Sequence, residues 1–416
     1  MNWKQLTDSG VTVFGGAVSG GLDSCTVTHW LSERGVDVHA LTVDLGQPDE
    51  DSLDDVAERM IACGASRADV LDGREALAEA GLQVIQSQAR YEGGYWNTTG
   101  IARPVTVAAM LPVLAERGID VLFHGATGRG NDQVRFQLVS NMLQPSLEVY
   151  APWRDPEFVA DFPGRREMLD YCEANDLPIK PRSESRYSTD ANFLGLTHEA
   201  GDLEDVTIPP DFVEPGMGVK AEQAPDYADA VTVTWLKGRP IAIDGKEMGL
   251  VNAFDEANRL GGRHAVGIGT HTVENRFVGV KSRGIYEAPG MELLGQSYEY
   301  LLQMVLDRRA RLLYQHLSQT ISTQIYEGYW LDLATTSALA ALEPMTQLAS
   351  GTITVRLYKG TVSFESVEDV ANSLYTDDSS MEAEGDYDHL DAEGFLRIHG
   401  VAAKSFGTRQ FPSTGR

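Results

Sequence analysis

Ala17-Val18-Ser19-Gly20-Gly21-Leu22-Asp23-Ser24-Cys25 is the stretch whose reading decides the fold. An apolar run over residues 11–16 precedes it. Residues 26–34 follow, with Cys25, Val27, Trp30 and Leu31 spaced as one helical stripe. Strand, glycine-rich turn and helix together make a phosphate cradle. Glycines let the backbone approach an anion with no Cβ in the way, and the unpaired N–H groups of the first helical turn face it with the positive end of the helix dipole. No Gly-Lys-Ser/Thr closes the stretch, so it is not a Walker A loop, and its glycines do not follow the GxGxxG spacing of dinucleotide sites. Ser19, Asp23 and Ser24 fall where phosphate chemistry uses hydroxyls and a carboxylate, and Cys25 is expected to pack beneath the turn.

Working outward, Gly35 stops the first helix and residues 36–43 (VDVHALTV) read as a second buried strand. The turn Asp44-Leu45-Gly46-Gln47-Pro48 leads into an acidic helix start running to Cys63-Gly64. Residues 68–71 read as a third strand and 74–88 as a helix. A further helix spans 102–117, with Pro104 in its first turn and Pro112 at a kink, and residues 121–123 form the next strand. Such alternation predicts a parallel sheet covered on both faces. Ligands of these sheets sit at the carboxyl ends of the strands, beside the switch in strand order. The turns after the first, second and fourth strands share that edge. The last of them is His124-Gly125-Ala126-Thr127-Gly128-Arg129-Gly130-Asn131-Asp132-Gln133-Val134-Arg135-Phe136. Its three glycines, followed by Asn, Asp, Gln and Arg at a helix start, suit a second small ligand, an amino-acid zwitterion.

Past Tyr150-Ala151-Pro152-Trp153-Arg154-Asp155 and an expected hinge at residues 178–181, the pattern changes. Residues 187–192 and 196–199 are polar, hydroxyl-rich and read as irregular. Residues 231–236, 241–243 and 247–251 read as antiparallel strands, with Asp244-Gly245 as a hairpin turn. A helix starts at 254–260 and is expected to break at Gly261-Gly262. Long helices are expected over 292–314 and 331–348, and a last hairpin over 353–358 and 362–365. The acidic segment 376–391 reads as a loop before a short terminal arm. The fold class expected is α/β: a Rossmann-like parallel nucleotide-binding sheet over residues 1–178, an α+β domain over 179–370, and a C-terminal arm over 371–416.

Composition bounds the partners. The 416 residues carry 34 Lys and Arg against 61 Asp and Glu, a formal net charge of -27. Nucleic acid needs a concentrated basic face, so it is not an expected partner. Three cysteines, Cys25, Cys63 and Cys172, are odd in number and widely spaced, which implies no disulfide framework. The first residues, MNWKQLTDSG, lack a basic-then-apolar leader, and no uninterrupted apolar run approaches 18 residues, so a cytoplasmic protein with no membrane partner is expected. His124, His198, His264 and His271 lack metal-ligand spacing with carboxylates and are expected to be hydrogen-bonded structural residues.

Ser-Gly-Gly-Leu-Asp-Ser resembles the loop of the ATP pyrophosphatases. With AVSGGLDS, the DLGQ turn, HGATGRGNDQVRF, APWRD, YSTDANFLGLTHEAGDLED and VENRFVGVKSRGIYEAPG in that order, the chain resembles the argininosuccinate synthase family from Ala17 to about Arg409. The resemblance implies a two-step, C–N bond-forming ligase of arginine biosynthesis. ATP would adenylylate the ureido oxygen of citrulline, and the amine of aspartate would then displace AMP. Mg²⁺ would be held mainly through the ATP phosphates rather than by a protein metal site. A homotetramer, its C-terminal arms crossing between subunits, is also implied. The runner-up is a paralogous adenylate-forming ligase acting on a different ureido or amide substrate in a specialised pathway.

Residue by residue, the resemblance assigns Ala17, Val18, Ser19, Gly20, Gly21, Leu22, Asp23, Ser24, Cys25, Ala40, Gly125, Thr127 and Asp190 to ATP. Citrulline would meet Tyr95, Asn131, Arg135, Ser188, Thr197, Glu199, Glu274 and Tyr286. Aspartate would meet Thr127, Asn131 and Asp132. On residue type alone, Tyr95 could equally be a packing aromatic, Glu274 a partner of Arg276 or Lys281, and Lys281 with Arg283 a solvated or intersubunit basic cluster. The sequence departs from the family pattern at Val18, in place of an aromatic, at Gly100, in place of a Ser that touches citrulline in one branch, and at Thr197, which keeps the hydroxyl of a Ser.

Overall fold

The structure, a computed structural model, describes residues 2–50, 52–179, 186–382 and 389–410. The expected hinge at 178–181 and the acidic segment 376–391 each fall partly outside the described residues. One compact unit spans Met1–Ala371 and another Asn372–Arg416.

The chain opens with α1 (Trp3–Asp8), then β1 (Val13–Ala17), α2 (Leu22–Glu33), β2 (Asp37–Asp44), α3 (Leu53–Ala62), β3 (Arg67–Asp72) and α4 (Arg74–Ser87). It continues through α5 (Thr98–Glu116), β4 (Val121–His124), α6 (Asp132–Leu143), β5 (Glu148–Tyr150), α7 (Pro156–Asp161) and α8 (Arg165–Ala174). The five strands form one parallel sheet in the order β3-β2-β1-β4-β5. The order reverses between β1 and β4, which places the switch point at the ends of Ala17 and His124. Alternation along each strand feeds two cores. Val38, Ala40, Val121 and Phe123 pack on one face with Trp30, Phe158 and Cys172, while Leu41, Val43 and Leu122 pack on the other with Leu77, Ile101 and Met110.

Helix α5 begins four residues before its expected start, so Pro104 lies in the second turn rather than the first, and Pro112 also sits inside the helix. On length and composition alone α5 could cross a membrane, but half of its most apolar window is buried within the fold and it carries Arg103 in its second turn. Its first turn reaches a different sheet. The polar segments expected to be irregular are paired strands, β6 (Ser188–Asn192) and β7 (Gly195–Glu199). Two of their buried polar side chains are hydrogen-bonded: Asn192 Nδ2 donates to the Thr98 carbonyl at 3.1 Å, and the Thr99 and Thr197 hydroxyls lie 3.3 Å apart. Satisfied polar groups can be buried without an apolar pattern, which is why periodicity missed them.

Then come β8 (Asp229–Leu236), β9 (Arg239–Ile243), β10 (Lys246–Glu247) and α9 (Leu250–Arg263). Of the strand expected over 247–251 only Glu247 pairs, since Leu250 and Val251 begin α9, and α9 runs through Gly261-Gly262 instead of breaking there. A Cβ on Gly262 would stand 2.1 Å from the Met217 carbonyl, so the glycine permits close packing. A hairpin of β11 (Thr270–Asn275) and β12 (Lys281–Glu287) completes a four-stranded sheet, β11-β12-β7-β6. The long helix expected over 292–314 is two helices, α10 (Pro289–Val305) and α11 (Arg308–Glu327). Asp307 separates them as an N-cap, accepting from the Ala310 N–H at 2.7 Å. Helix α12 (Leu333–Thr346), β13 (Gly351–Tyr358) and β14 (Thr361–Glu368) follow, giving a second antiparallel sheet, β10-β9-β8-β13-β14. In the second unit α13 (Asp391–Gln410) is a 20-residue helix.

Candidate active site

Between β1 and α2 the backbone turns through Val18-Ser19-Gly20-Gly21, and α2 starts at Leu22, earlier than the stripe alone suggested. Gly20 has φ +69°, the left-handed region open to glycine, and its carbonyl accepts from Arg59 Nη1 at 2.9 Å. The Ser19 N–H donates to Ser24 Oγ at 3.0 Å, and Trp153 Nε1 donates to Asp23 Oδ1 at 3.1 Å. Cys25 is fully buried beneath the turn, 3.6 Å from the Gly20 carbonyl oxygen. The turn is therefore held from within by Ser24 and from neighbouring elements by Arg59 and Trp153.

A cleft of about 1070 Å³ opens along the carboxyl edge of the parallel sheet. Ala17, Val18, Ser19, Gly21, Leu22, Asp23 and Ser24 line it from the first turn, Leu45, Gln47 and Asp49 from the second, and Gly125, Ala126 and Asp132 from the third. Ser188 and Asp190 of β6 line the facing side. The first and third turns touch: a Cβ built on Gly125 would lie 3.1 Å from the Asp23 Cβ. Ala40 corrects the expectation that it lines this space. It is 1% exposed in the core beneath the turn, and its neighbours Leu41, Thr42 and Val43 line the cleft instead. Gly20 and Cys25 likewise belong to the turn without lining the cleft. Thr127 sits in the third turn, its hydroxyl accepting from the Arg129 N–H at 3.0 Å.

Beside the cleft lies a second cluster. Tyr95 stacks on Tyr286 with ring centroids 4.1 Å apart, and Tyr91 stacks on Tyr326 at 3.6 Å. Glu274, 6% exposed, accepts from Tyr286 Oη at 2.7 Å and Tyr326 Oη at 2.6 Å. It pairs with these hydroxyls and not with Arg276 or Lys281. Burial, then the Glu274 charge, pushes both phenols upward, so they remain donors. Asn131 caps α6 and accepts from the Phe277 N–H at 3.0 Å. Thr197 adjoins Thr99, and Glu199 lies 3.6 Å from Arg276 Nη2 at the rim.

A line of alternating charges joins the two regions. Asp190 and Asp132 both accept from Arg103 Nη2, at 2.5 and 2.7 Å. The other oxygen of Asp132 accepts from Arg135 Nη1 at 2.8 Å, while Arg135 Nε and Nη2 donate to the Tyr326 carbonyl at 3.0 and 2.7 Å. Burial pushes the Asp132 carboxyl up, but the two guanidiniums outweigh it and hold the group well below the usual carboxylate range. Asp190 is raised, because burial and the Asp132 charge together exceed the pull of Arg103. Burial, aided by Arg154, lowers His124 to about 3, leaving a neutral imidazole whose Nδ1 accepts from the Ala126 N–H.

Sequence reasoning missed Arg103 and Tyr326. Arg103 did leave a signal: it is the one charge in α5 before Glu116. Tyr326 left none, since its partners Glu274 and Arg135 are 52 and 191 residues away. Arg283 corrects the basic-cluster reading: it is 8% exposed and donates to the carbonyls of Asp205 and Ile208 and to His271 Nε2, bracing the chain internally. His198 and His264 each bond a buried or partly buried carboxylate, Glu287 and Asp229. Gly100 loses a hydroxyl without gaining room, because a Cβ there would already be 3.2 Å from the Ile325 carbonyl.

Comparison with known proteins agrees with this geometry. Residues 15–178 match the family model described as the arginosuccinate synthase N-terminal HUP domain, and residues 187–406 the arginosuccinate synthase C-terminal domain. Argininosuccinate synthase of Rhodopirellula baltica is 39% identical over 394 residues, covering 94% of this chain and 97% of its own. That of Nitratidesulfovibrio vulgaris is 36% identical over 396 residues, covering 94% and 96%. The chloroplastic enzyme of Arabidopsis thaliana is 37% identical over 391 residues, covering 93% and 78%. A parallel sheet with its phosphate turn at the switch point, a tyrosine–glutamate pocket beside it, and similarity over nearly the whole length lead to one conclusion: the chain belongs to the argininosuccinate synthase family.

Proposed function

We propose that the chain is an ATP-dependent ligase that joins citrulline to aspartate, and that the cleft holds ATP while the tyrosine–glutamate cluster holds citrulline. The observation that carries the reading is the contact between the Asp23 and Gly125 turns, with Asp132 one helix start away and bonded toward the Glu274 cluster. Three ligands can meet there. A ureido oxygen is a poor leaving group. Bonding it to the α-phosphorus, as the bond from that phosphorus to the β-bridging oxygen breaks and pyrophosphate leaves, turns it into a phosphate leaving group. The deprotonated aspartate amine then bonds to the ureido carbon, the carbon–oxygen bond breaks, AMP leaves, and a second amine proton is lost to give the guanidinium product. Orienting the reactants supplies much of the gain, since well-placed intramolecular reactions reach effective molarities of about 10⁵–10⁸ M.

The Ser19–Ser24 turn would receive the pyrophosphoryl end, with Asp23 and Asp190 on the nucleotide side. Asp132 would take the aspartate ammonium, with Thr127 and Asn131 beside it. Glu274, Tyr286, Tyr95, Arg135, Thr197, Ser188 and Glu199 would surround citrulline. Arg135 already spends three nitrogens on Tyr326 and Asp132, so it can offer only its remaining N–H groups to a ligand carboxylate. Mg²⁺ would enter with ATP. The cleft offers it oxygen donors in Asp23 and Asp49 beside the phosphate oxygens. We also propose the division at residues 178 and 370, a cytoplasmic enzyme and a homotetramer. The tetramer is supported by α13, whose Phe395, Leu396, Ile398 and Val401 are exposed.

The test is product analysis with ATP, citrulline and aspartate. Pyrophosphate release that requires citrulline, and AMP with argininosuccinate that requires both amino acids, is the expected result. Pyrophosphate release indifferent to citrulline would overturn the reading.

A further inference from the structure

Arg103, half-buried, is placed unlike the buried guanidiniums of the fold. Arg135 and Arg283 spread their donors over several acceptors. Arg103 instead directs a single nitrogen, Nη2, at two carboxylates, Asp132 and Asp190. Its Nε is buried with no partner, and Nη1 has no acceptor among the described residues. A guanidinium serving only as a strut would place its five donors on the acceptors around it. This one is left with unused donors.

Its position says what could use them. Arg103 lines the same cleft as Ser19, Gly21, Asp23, Ser24 and Gly125, and it also touches Asp132, whose other oxygen reaches Arg135 and so the citrulline side. Among the described residues lining the cleft, Arg103 and Arg165 are the cations, against Asp23, Asp49, Glu50, Asp132 and Asp190. A polyanion bound there needs a positive charge at the junction of the two regions, and Arg103, half-buried, stands at that junction.

We propose that Arg103 is a catalytic residue that binds the α-phosphoryl group of the nucleotide, and that Asp132 gives up its hold on Arg103 when it takes the aspartate ammonium. This rests on the ligase reading above. In the ligand-free site, Asp190, Arg103, Asp132 and Arg135 form two negative and two positive charges. An arriving ammonium occupies Asp132, an arriving phosphate occupies Arg103, and the set stays balanced. As the ureido oxygen bonds to the α-phosphorus and the bond to the β-bridging oxygen breaks, charge on the non-bridging oxygens meets a guanidinium fork, the geometry suited to a phosphate.

The experiment uses the full chain and its Arg103→Gln and Arg103→Lys variants, with circular dichroism to establish folding. Citrulline-dependent exchange of labelled pyrophosphate into ATP, without aspartate, reads the first step alone, and calorimetry reads ATP affinity. The expected result is an exchange rate lowered about 100-fold or more in R103Q with ATP affinity changed less than about threefold, and partial recovery in R103K. A strut would not give that split or that recovery. Exchange in R103Q within threefold of the parent overturns the proposal, as does a loss matched by ATP affinity. Should R103Q not fold, R103K decides: about a tenfold fall in exchange at preserved ATP affinity is expected, and unchanged exchange overturns it. A parent chain lacking citrulline-dependent exchange overturns the ligase reading and this proposal with it; parent exchange with an unaffected variant overturns the role of Arg103 alone.

Discussion

Replacing Tyr326 by Phe isolates one interaction in the tyrosine–glutamate cluster. The ring remains, so its stacking on Tyr91 at 3.6 Å is kept. The acceptor for Arg135 is the backbone carbonyl of residue 326, so Arg135 keeps both of its bonds there. What disappears is the hydroxyl donating to Glu274 Oε1 at 2.6 Å, a short bond to a charged acceptor. Such bonds contribute about 1.5–3 kcal/mol, a factor of roughly 10–150. Glu274 retains Tyr286 Oη at 2.7 Å and the more distant Ser282 Oγ at 3.4 Å, so the carboxylate stays in place but loses its shortest anchor. The lower end of that range applies, and the citrulline KM should rise about tenfold. The ATP KM should hold within twofold, because no hydrogen bond or ring contact of the lost hydroxyl reaches a cleft-lining side chain. Steady-state pyrophosphate release, varying citrulline and then ATP, measures both. A citrulline KM unchanged within twofold in a folded variant, or an equal rise for both substrates, would refute the assignment of Glu274 to citrulline.

Replacing Gly262 by Ala drives a Cβ to 2.1 Å from the Met217 carbonyl and should cost about 1–3 kcal/mol or more, read as a lower denaturant midpoint with α9 otherwise intact. Asp155→Ala removes the acceptor of the Trp3 N–H, the Tyr150 hydroxyl and the Glu157 N–H together, and should destabilise by about 2 kcal/mol or more in urea unfolding; a loss under 0.5 kcal/mol contradicts the shared-anchor reading. Asp132 has a depressed folded pKa, so its stabilisation is full above its unfolded value, about 3.9, and fades as pH falls toward the folded one. The stability gap between the parent and Asp132→Asn should therefore be flat from about pH 5 to 8 and narrow below about pH 4. All three cysteines are buried, and a hydrogen bond with Cys63, then burial, pushes the Cys25 thiol up. A thiol reagent should label none of them in the native enzyme and all three in denaturant.

The parallel sheet was legible because β1, β2 and β4 are short apolar runs, and because α2, α3 and α5 stop at Gly35, Gly64 and Gly118. Its strand-end turns were legible because glycine clusters beside Ser, Asp and Asn have few other uses. The hairpin of β6 and β7 was not, since Asn192 and Thr197 are buried as hydrogen-bonded polar groups and leave no alternating apolar pattern. The break between α10 and α11 rests on one aspartate turning its side chain onto a backbone N–H, within a stretch whose residues all favour helix. Ala40 shows the limit of strand position alone: alternation turned it to the core face, one residue from the side chains that line the cleft. Arg103 and Tyr326 depend on partners assembled from distant segments, which local sequence does not announce.

Both ends of α5 are fastened. At one end the Thr99 hydroxyl meets Thr197; at the other, Leu114 fills the space where a Cβ on Gly15 would stand, 2.3 Å away. A helix advances 1.5 Å and rotates about 100° with each residue. One residue inserted or deleted between those fastenings would swing Arg103 away from both aspartates or pull an end out of register. The spacing along this helix is thus a ruler that drift in length cannot alter, and natural or engineered insertions should collect in the connections on either side of it.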